Sequence, residues 1–240
     1  GSKFSNKIKI KFILFEKFLA NKFNYKPEKN YKKLFNWTIK NPKLFWSSIW
    51  EFSNIKGIKN DKYHFPKEII KSKFLVKSKL NYAENLLAKK DDSKAVTSLV
   101  KMDTEGKILK ELNNNSLKLV SFFKENKIKE KDRIAAYTVN QIETVESFIA
   151  TSAIGAIWSS CSPDFGTQGV IERFSQIKPK VLIITDRYYY NGKEINILER
   201  LPTILNKITS IQSVLIINYP VKNNFKQKKI KEIKIYYYNK

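Results

Sequence analysis

A chain of 240 residues that is 42% hydrophobic and 13% aromatic can bury one sizeable domain plus an extension, and is too apolar to be a disordered segment. No apolar run approaches the about 18 residues of a membrane span; the most apolar early stretch, Phe12–Phe15, sits among lysines, and the lone cysteine, Cys161, excludes an internal disulfide and fits a reducing, cytoplasmic compartment. The net charge of +24 lies in the flanks: residues 1–80 hold 20 lysines against 5 acids and residues 219–240 hold 7 lysines against Glu232, whereas residues 81–218 carry 19 basic and 16 acidic groups. Only Arg133, Arg173, Arg187 and Arg200 are arginines among the 46 basic residues. Nucleic-acid readers lean on arginine for bidentate contacts, so the excess reads as a solvated lysine surface rather than a nucleic-acid or membrane footprint.

Gly1-Ser2, with no methionine before Met102, reads as the scar of a removed tag. Residues 3–80 read as a mainly helical N-terminal extension wrapped over a core further along. Asn41-Pro42 is a helix start, with Asn41 as the cap and Pro42 at the first helical position. Trp46, Ile49, Trp50 and Ser53 then recur at helical spacing, until Gly57 breaks the pattern.

Residues 81–220 read as an α/β subdomain. Ala95–Val100 and Ile108–Leu112 are expected to be strands of a hairpin turning at Asp103-Thr104-Glu105-Gly106. A helix capped within Asn113–Ser116 follows, with Leu117, Val120 and Phe123 inward. Arg133–Tyr137 is a short buried strand. Asn140 and Glu143 suggest a capping box for a helix that places Ile142, Val145, Phe148, Ile149 and Ser152 on one face. A strand at Ala156–Cys161 leads to a helix at Thr167–Lys178, ended by Pro179, and to a strand at Val181–Thr185. Helical turns from Glu194 to Ile208, interrupted at Pro202, precede a strand at Val214–Ile217. Short continuous apolar strands alternating with helices predict a mostly parallel sheet with helices on both faces. Residues 221–240 form a lysine-rich tail that closes on a strand-like run at Ile235–Lys240.

Most catalytic patterns are missing. The sequence holds no dinucleotide fingerprint and no phosphate-wrapping glycine loop, and one histidine with one cysteine cannot build a His/Cys metal site. His64 and Cys161 as base and nucleophile lack any neighbouring group to activate the thiol, so Cys161 reads as packing and His64 as a surface or wedge residue. What remains is the loop Ser162-Pro163-Asp164-Phe165-Gly166, between a strand and a helix. Loops there open onto the ligand crevice of a parallel sheet, and Gly166 permits close approach to the backbone.

The run Gly155–Gly166 resembles, nearly letter for letter, a segment of the acetoacetyl-CoA synthetase family, within the adenylate-forming acyl-CoA synthetases. Leu80–Leu86, Asp132–Tyr137, Arg173-Phe174, Gln176–Leu182, Phe45-Trp46 and Trp50-Glu51-Phe52 have counterparts in the same order. Related acetyl-CoA synthetases carry His-Ser and Gly-Gly-Phe where this chain has Trp158-Ser159 and Pro163-Asp164-Phe165, which favours acetoacetate over acetate. The resemblance implies activation of acetoacetate with ATP and Mg2+, then transfer to CoA, in lipid and ketone-body metabolism. It also implies that the ATP loop, hinge and catalytic lysine lie beyond residue 240. The chain would then be inactive without a missing C-terminal part of the same protein, with no catalytic or metal-binding residue of its own. Pro163, Asp164, Phe165 and Gly166 would line the pantetheine channel. Tyr190 and Lys193 fall where relatives hold the CoA nucleotide phosphate with two arginines, and of these Lys193 alone keeps a charge. The alternatives are a ligase for another short acid such as acetate or propionate and, from a different class, a lysine-rich module binding nucleic acid or an anionic surface.

Overall fold

A computed structural model describes residues 2–100, 103–219 and 233–238. The chain forms two compact units, Gly1–Asn81 and Tyr82–Lys240.

In the first unit, helices α1 (Ser2–Phe23), α2 (Tyr31–Lys40) and α3 (Pro42–Phe52) precede a two-residue ladder of β1 (Gly57–Ile58) with β2 (Lys79–Leu80). Phe15, Leu19 and Leu34 are buried at the helix junction, where Trp37, Phe45, Ile49 and Phe52 pack on them. Phe15 and Phe52 meet edge to face at 5.0 Å, a geometry that adds to plain area burial. Glu16 is buried here as well, and its carboxylate is satisfied by the Tyr25 hydroxyl (2.9 Å) and the Lys29 amide (3.0 Å). Burial beside that carboxylate pushes the Tyr25 phenol up to about 12. Pro42 opens α3, but the Asn41 side chain does not cap it. Its Nδ2 donates instead to the Trp37 carbonyl (3.0 Å), closing the end of α2. Trp50 is buried and Trp46 lies against the Phe74 ring.

The second unit is built on a five-stranded parallel sheet of β5 (Arg133–Tyr137), β6 (Ile157–Cys161), β7 (Val181–Thr185), β10 (Ser213–Ile217) and β11 (Lys234–Tyr237), in the order β11-β10-β7-β5-β6. Side chains alternate between its faces as the period of two demands. Ala135, Tyr137, Leu182, Ile184, Val214 and Ile216 join Val170 and Phe174 of α7 (Thr167–Ile177) and Ile204 of α8 (Leu201–Lys207) in one core. Ile134, Ala136, Val181, Ile183, Leu215 and Ile217 face Phe123 of α5 (Leu109–Glu125) and Ala150 of α6 (Ile142–Ala153). Apolar residues on both faces are why these strands read as continuous runs rather than as an alternation.

Several local expectations are corrected. The hairpin exists as β3 (Lys94–Val100) with β4 (Asp103–Ile108), but residues 103–106 belong to the second strand. Its connection is Lys101-Met102, which lies outside the described residues. Leu109–Leu112 is helical rather than extended, because Glu111 reaches back to accept from the Ile108 amide (3.2 Å) and starts α5 there. Asn113–Ser116 therefore lies inside α5: Ser116 bonds back to the Leu112 carbonyl, and Leu112, Ser116, Leu119 and Phe123 form the buried stripe while Leu117 is exposed. Helix α6 begins after Gln141 without a side-chain cap, so Asn140 makes no capping box. It buries Ile142 and Ile149 as expected, and also Glu143, Glu146, Ser147 and Thr151. Residues 194–196 are not helical but lie in β9 (Lys193–Asn196), which pairs antiparallel with β8 (Arg187–Tyr190). Pro202 does not interrupt a helix. It sits in the first turn of α8, where its missing N–H costs nothing. Most of the lysine-rich tail, residues 220–232 and 239–240, lies outside the described residues.

Candidate functional site

The strand order runs outward from β5 to β6 on one side and to β7, β10 and β11 on the other. A parallel sheet wound in two directions diverges at its carboxyl edge and leaves a crevice there. A cleft of about 210 Å³ occupies this place, lined by Thr138, Val139 and Asn140 after β5, Thr144 of α6, Ser160 to Asp164 at the end of β6, and Tyr188 of β8.

Each wall has a local cause. After β5 the Thr144 hydroxyl donates to the Val139 carbonyl (2.9 Å) and closes the turn into α6. Thr138 and Gln141 are almost fully buried, and Thr138 Oγ1 and Gln141 Oε1 have no hydrogen-bond partner among the described residues. Buried polar atoms are nearly always paired, so such orphans concentrate where something else binds. In the β6–α7 loop Ser162 Oγ donates to Asp164 Oδ2 (2.8 Å), and the Phe165 amide donates to the Ser162 carbonyl (3.1 Å). Behind the loop, the Tyr137 hydroxyl donates to the Phe165 carbonyl (2.6 Å). Arg200 Nη1 donates to the Tyr137 oxygen and to the Pro163 carbonyl (3.0 Å). Burial raises the Tyr137 phenol above its ordinary range against the opposing pull of Arg200, so it remains a neutral donor at neutral pH. Burial likewise raises the Cys161 thiol, with Arg173 pulling it down, which keeps it protonated and a poor nucleophile. The Tyr188 phenol is raised by burial and by the Asp164 charge.

The sequence-derived candidates fall into two groups. Pro163 and Asp164 line the cleft. Phe165 turns outward and carries the Arg173 guanidinium 4.2 Å above its ring. Gly166 precedes α7 with φ −60°, a conformation open to any residue, and a Cβ built on it meets nothing within 4 Å. Lys193 is exposed near the tip of the β8–β9 hairpin, whose turn residues Asn191 (φ 48°) and Gly192 (φ 77°) both take the left-handed conformation that a two-residue hairpin loop requires. Lys193 pairs with Tyr190, and residues two apart share a face, so Lys193 stands on the same face of the hairpin as Tyr188. The opposite face holds the buried Arg187 against Glu194.

Sequence reasoning missed Thr138, Thr144, Tyr188 and Arg200. The signal available was the polar Thr138-Val139-Asn140 directly after an apolar strand, where Asn140 reads first as a cap. Among the described residues no group of three or more His, Cys, Asp or Glu is placed to hold a metal ion. None of their helices is long and apolar enough to cross a membrane.

The sequence profile of the AMP-binding enzyme family matches residues 84–234, which include β5, β6, β7 and β10 of the sheet. The chain belongs to the AMP-binding enzyme family. Among relatives, acetoacetyl-CoA synthetase of Gallus gallus is 37% identical over 197 residues, covering 79% of this chain and 29% of that protein. Acetoacetyl-coenzyme A synthetase of Rhizobium meliloti is 37% identical over 170 residues, covering 68% of this chain and 26% of that protein. The solved structure of acetoacetyl-CoA synthetase from Streptomyces lividans shares the fold, with a TM-score of 0.81 at 22% identity over 94% of this chain and 35% of that one. The chain therefore spans under a third of the length of the curated relatives it matches, and within an AMP-binding enzyme it supplies this sheet and its carboxyl-edge cleft.

Proposed function

We propose that the chain is part of an ATP-dependent acid–CoA ligase acting on acetoacetate, and that its cleft receives the pantetheine arm of CoA. The observation that carries this reading is the character of the cleft. Its lining holds neutral hydroxyls, an amide, a thiol and one carboxylate, Asp164, but no lysine or arginine. Such a lining disfavours phosphate and suits a neutral chain of amides. Thr138, which lines the cleft and whose Oγ1 has no partner among the described residues, is suited to an amide partner. Gly166 leaves open space at the outer end of the loop. Lys193, on the hairpin face shared with Tyr188, is the cation for the phosphate end, and Tyr190 beside it adds contact but no charge.

CoA supplies the thiol that takes up the acyl group, and this chain's residues bind and orient the arm that carries it. The handling of ATP and Mg2+ falls to the part of the relatives' length that this chain does not span. Acetoacetate is named because the matched relatives carry that name, which also suggests lipid and ketone-body metabolism. A buried, protonated Cys161 suits the cytoplasm.

The test is thioester formation by a chain that carries these residues together with the remainder spanned by the relatives. With ATP and CoA, acetoacetate should support kcat/KM at least about tenfold above acetate, the discrimination worth roughly 1.4 kcal/mol of transition-state binding. A preference for acetate or propionate would replace the substrate, and no thioester from any short acid would remove the ligase reading.

A further inference from the structure

We propose that Arg200 is the positioning residue of the cleft, acting through Tyr137 to fix the Pro163–Phe165 loop before any ligand arrives. Three acceptors converge on one nitrogen. Arg200 Nη1 donates to the Tyr137 hydroxyl and the Pro163 carbonyl (3.0 Å), and the Phe165 carbonyl lies at 3.4 Å. The Tyr137 hydroxyl completes the set by donating to the Phe165 carbonyl at 2.6 Å. Two alternate carbonyls of one exposed loop are thus tied from behind by a single cation and a single phenol.

The anchor is rigid on its own side. Tyr137 is the last residue of β5, fully buried, and its strand is hydrogen-bonded to both β6 and β7. Arg200 ends a 3-10 turn (Leu198–Arg200) whose neighbours Ile197 and Leu201 are buried in the same core as Tyr137. The loop's remaining restraints are local: Ser162 Oγ donates to Asp164 Oδ2 and accepts from the Asp164 amide (3.4 Å), the Phe165 amide donates to the Ser162 carbonyl, and Arg173 and Tyr188 meet the Phe165 ring and the Asp164 carboxylate from outside. Charge-assisted bonds to backbone carbonyls are the stronger kind, and guanidinium geometry lets one side chain serve several acceptors at once. With the loop held, Pro163 and Asp164 form a ready-made wall, and a ligand need not bear the entropy of ordering it. The restraint on the loop stands on these contacts alone, whereas its consequence for ligand affinity rests on the pantetheine reading above.

Hydrogen–deuterium exchange of the 240-residue chain separates the two. In Arg200→Met, which keeps the aliphatic stem and removes the donors, amides of residues 164–169 should exchange at least about tenfold faster, while those of β5 and β7 stay unchanged. Arg200→Lys should restore part of that protection, because an ammonium can serve one carbonyl but not the fork. Tyr137→Phe serves as the second variant should Arg200→Met lose its fold, and it should speed exchange at Phe165 and Gly166 in particular. Unchanged loop exchange in the folded variants would overturn the proposal, as would a uniform rise across the sheet. Pantetheine affinity, read by titration on the same proteins, should fall at least about fivefold in Arg200→Met and recover partly in Arg200→Lys. A loosened loop with pantetheine affinity unaltered would leave the restraint standing, strike out its role at the cleft, and count against the pantetheine reading.

Discussion

Replacing Glu146 by leucine should cost the second unit about 3–5 kcal/mol, the usual penalty for breaking a buried ion pair from one side. Glu146 is fully buried in α6, and its carboxylate gathers three donors from three other places. Lys107 of β4 and Asn115 of α5 donate to Oε1, each at 2.8 Å, and the Tyr238 hydroxyl, just past β11, donates to Oε2 at 2.5 Å. Lys107 is itself only 11% exposed, so it cannot recover solvation without moving the hairpin. Leucine fills the volume but takes the carboxylate away from a nearly buried ammonium, an amide and a phenol. Glutamine keeps one acceptor oxygen and should cost less. Equilibrium urea unfolding gives the values, and Glu146→Leu combined with Lys107→Met should regain more than half of the loss, since the stranded charge is then removed as well. A loss under 1 kcal/mol (about one fifth of the penalty expected for such a pair) would mean the hub is not a load carrier.

Asp186→Ala should be of similar size, about 3–5 kcal/mol, and should also reach the cleft. Asp186 follows β7 and is nearly fully buried. Oδ1 accepts from the Arg187 amide (2.8 Å) and the Tyr219 amide (2.7 Å), and Oδ2 accepts from Arg187 Nε (3.1 Å) and Nη2 (3.0 Å). Alanine removes the acceptor of two amides and the carboxylate that holds the buried Arg187 guanidinium on one side, opposite the half-exposed Glu194. Asp186→Asn keeps an acceptor for the amides and should lose roughly half as much. Because Arg187 starts β8 and Tyr188 lines the cleft, the alanine variant should also weaken pantetheine binding while asparagine largely spares it. Equal losses in the two variants would show that the charge, not the amides, sets the cost.

The sheet was readable because its strands are short apolar runs set between helical repeats. Val181–Thr185 and Arg133–Tyr137 appear in the structure with the boundaries their residues suggest. What failed was start and stop chemistry, where side chains of one type have several uses. Asn41 looked like a helix cap and serves the preceding helix. Asn140 looked like half of a capping box and stands exposed at the cleft. Glu111, three residues past Ile108, started α5 earlier than the run of asparagines indicated. The hairpin of β8 and β9 was hidden because Glu194-Ile195-Asn196 carries no alternation strong enough to oppose a helical reading, while its Asn191-Gly192 turn was visible from composition alone.

The β6–α7 loop was found by its place after an apolar strand and before a helix. Its supports were not, because Arg200 lies 35 residues from Phe165 and only the fold brings them together. Nor could the sequence show that Thr138 keeps an unbonded hydroxyl, since that depends on what surrounds it. The lysine-rich flanks, so prominent in the composition, supply none of the residues named at the site, and its lysine, Lys193, comes from the balanced middle.

The most direct test is a titration of the 15N-labelled 240-residue chain with pantetheine and, separately, with ATP. Pantetheine should shift the amides of Thr138 to Asn140, Ser160 to Ser162, Asp164 and Tyr188, with a Kd of about 1 mM for so small a ligand on one wall of its site. ATP should leave those amides in place. Shifts at the cleft with ATP and none with pantetheine would contradict the assignment of this cleft to the arm of CoA.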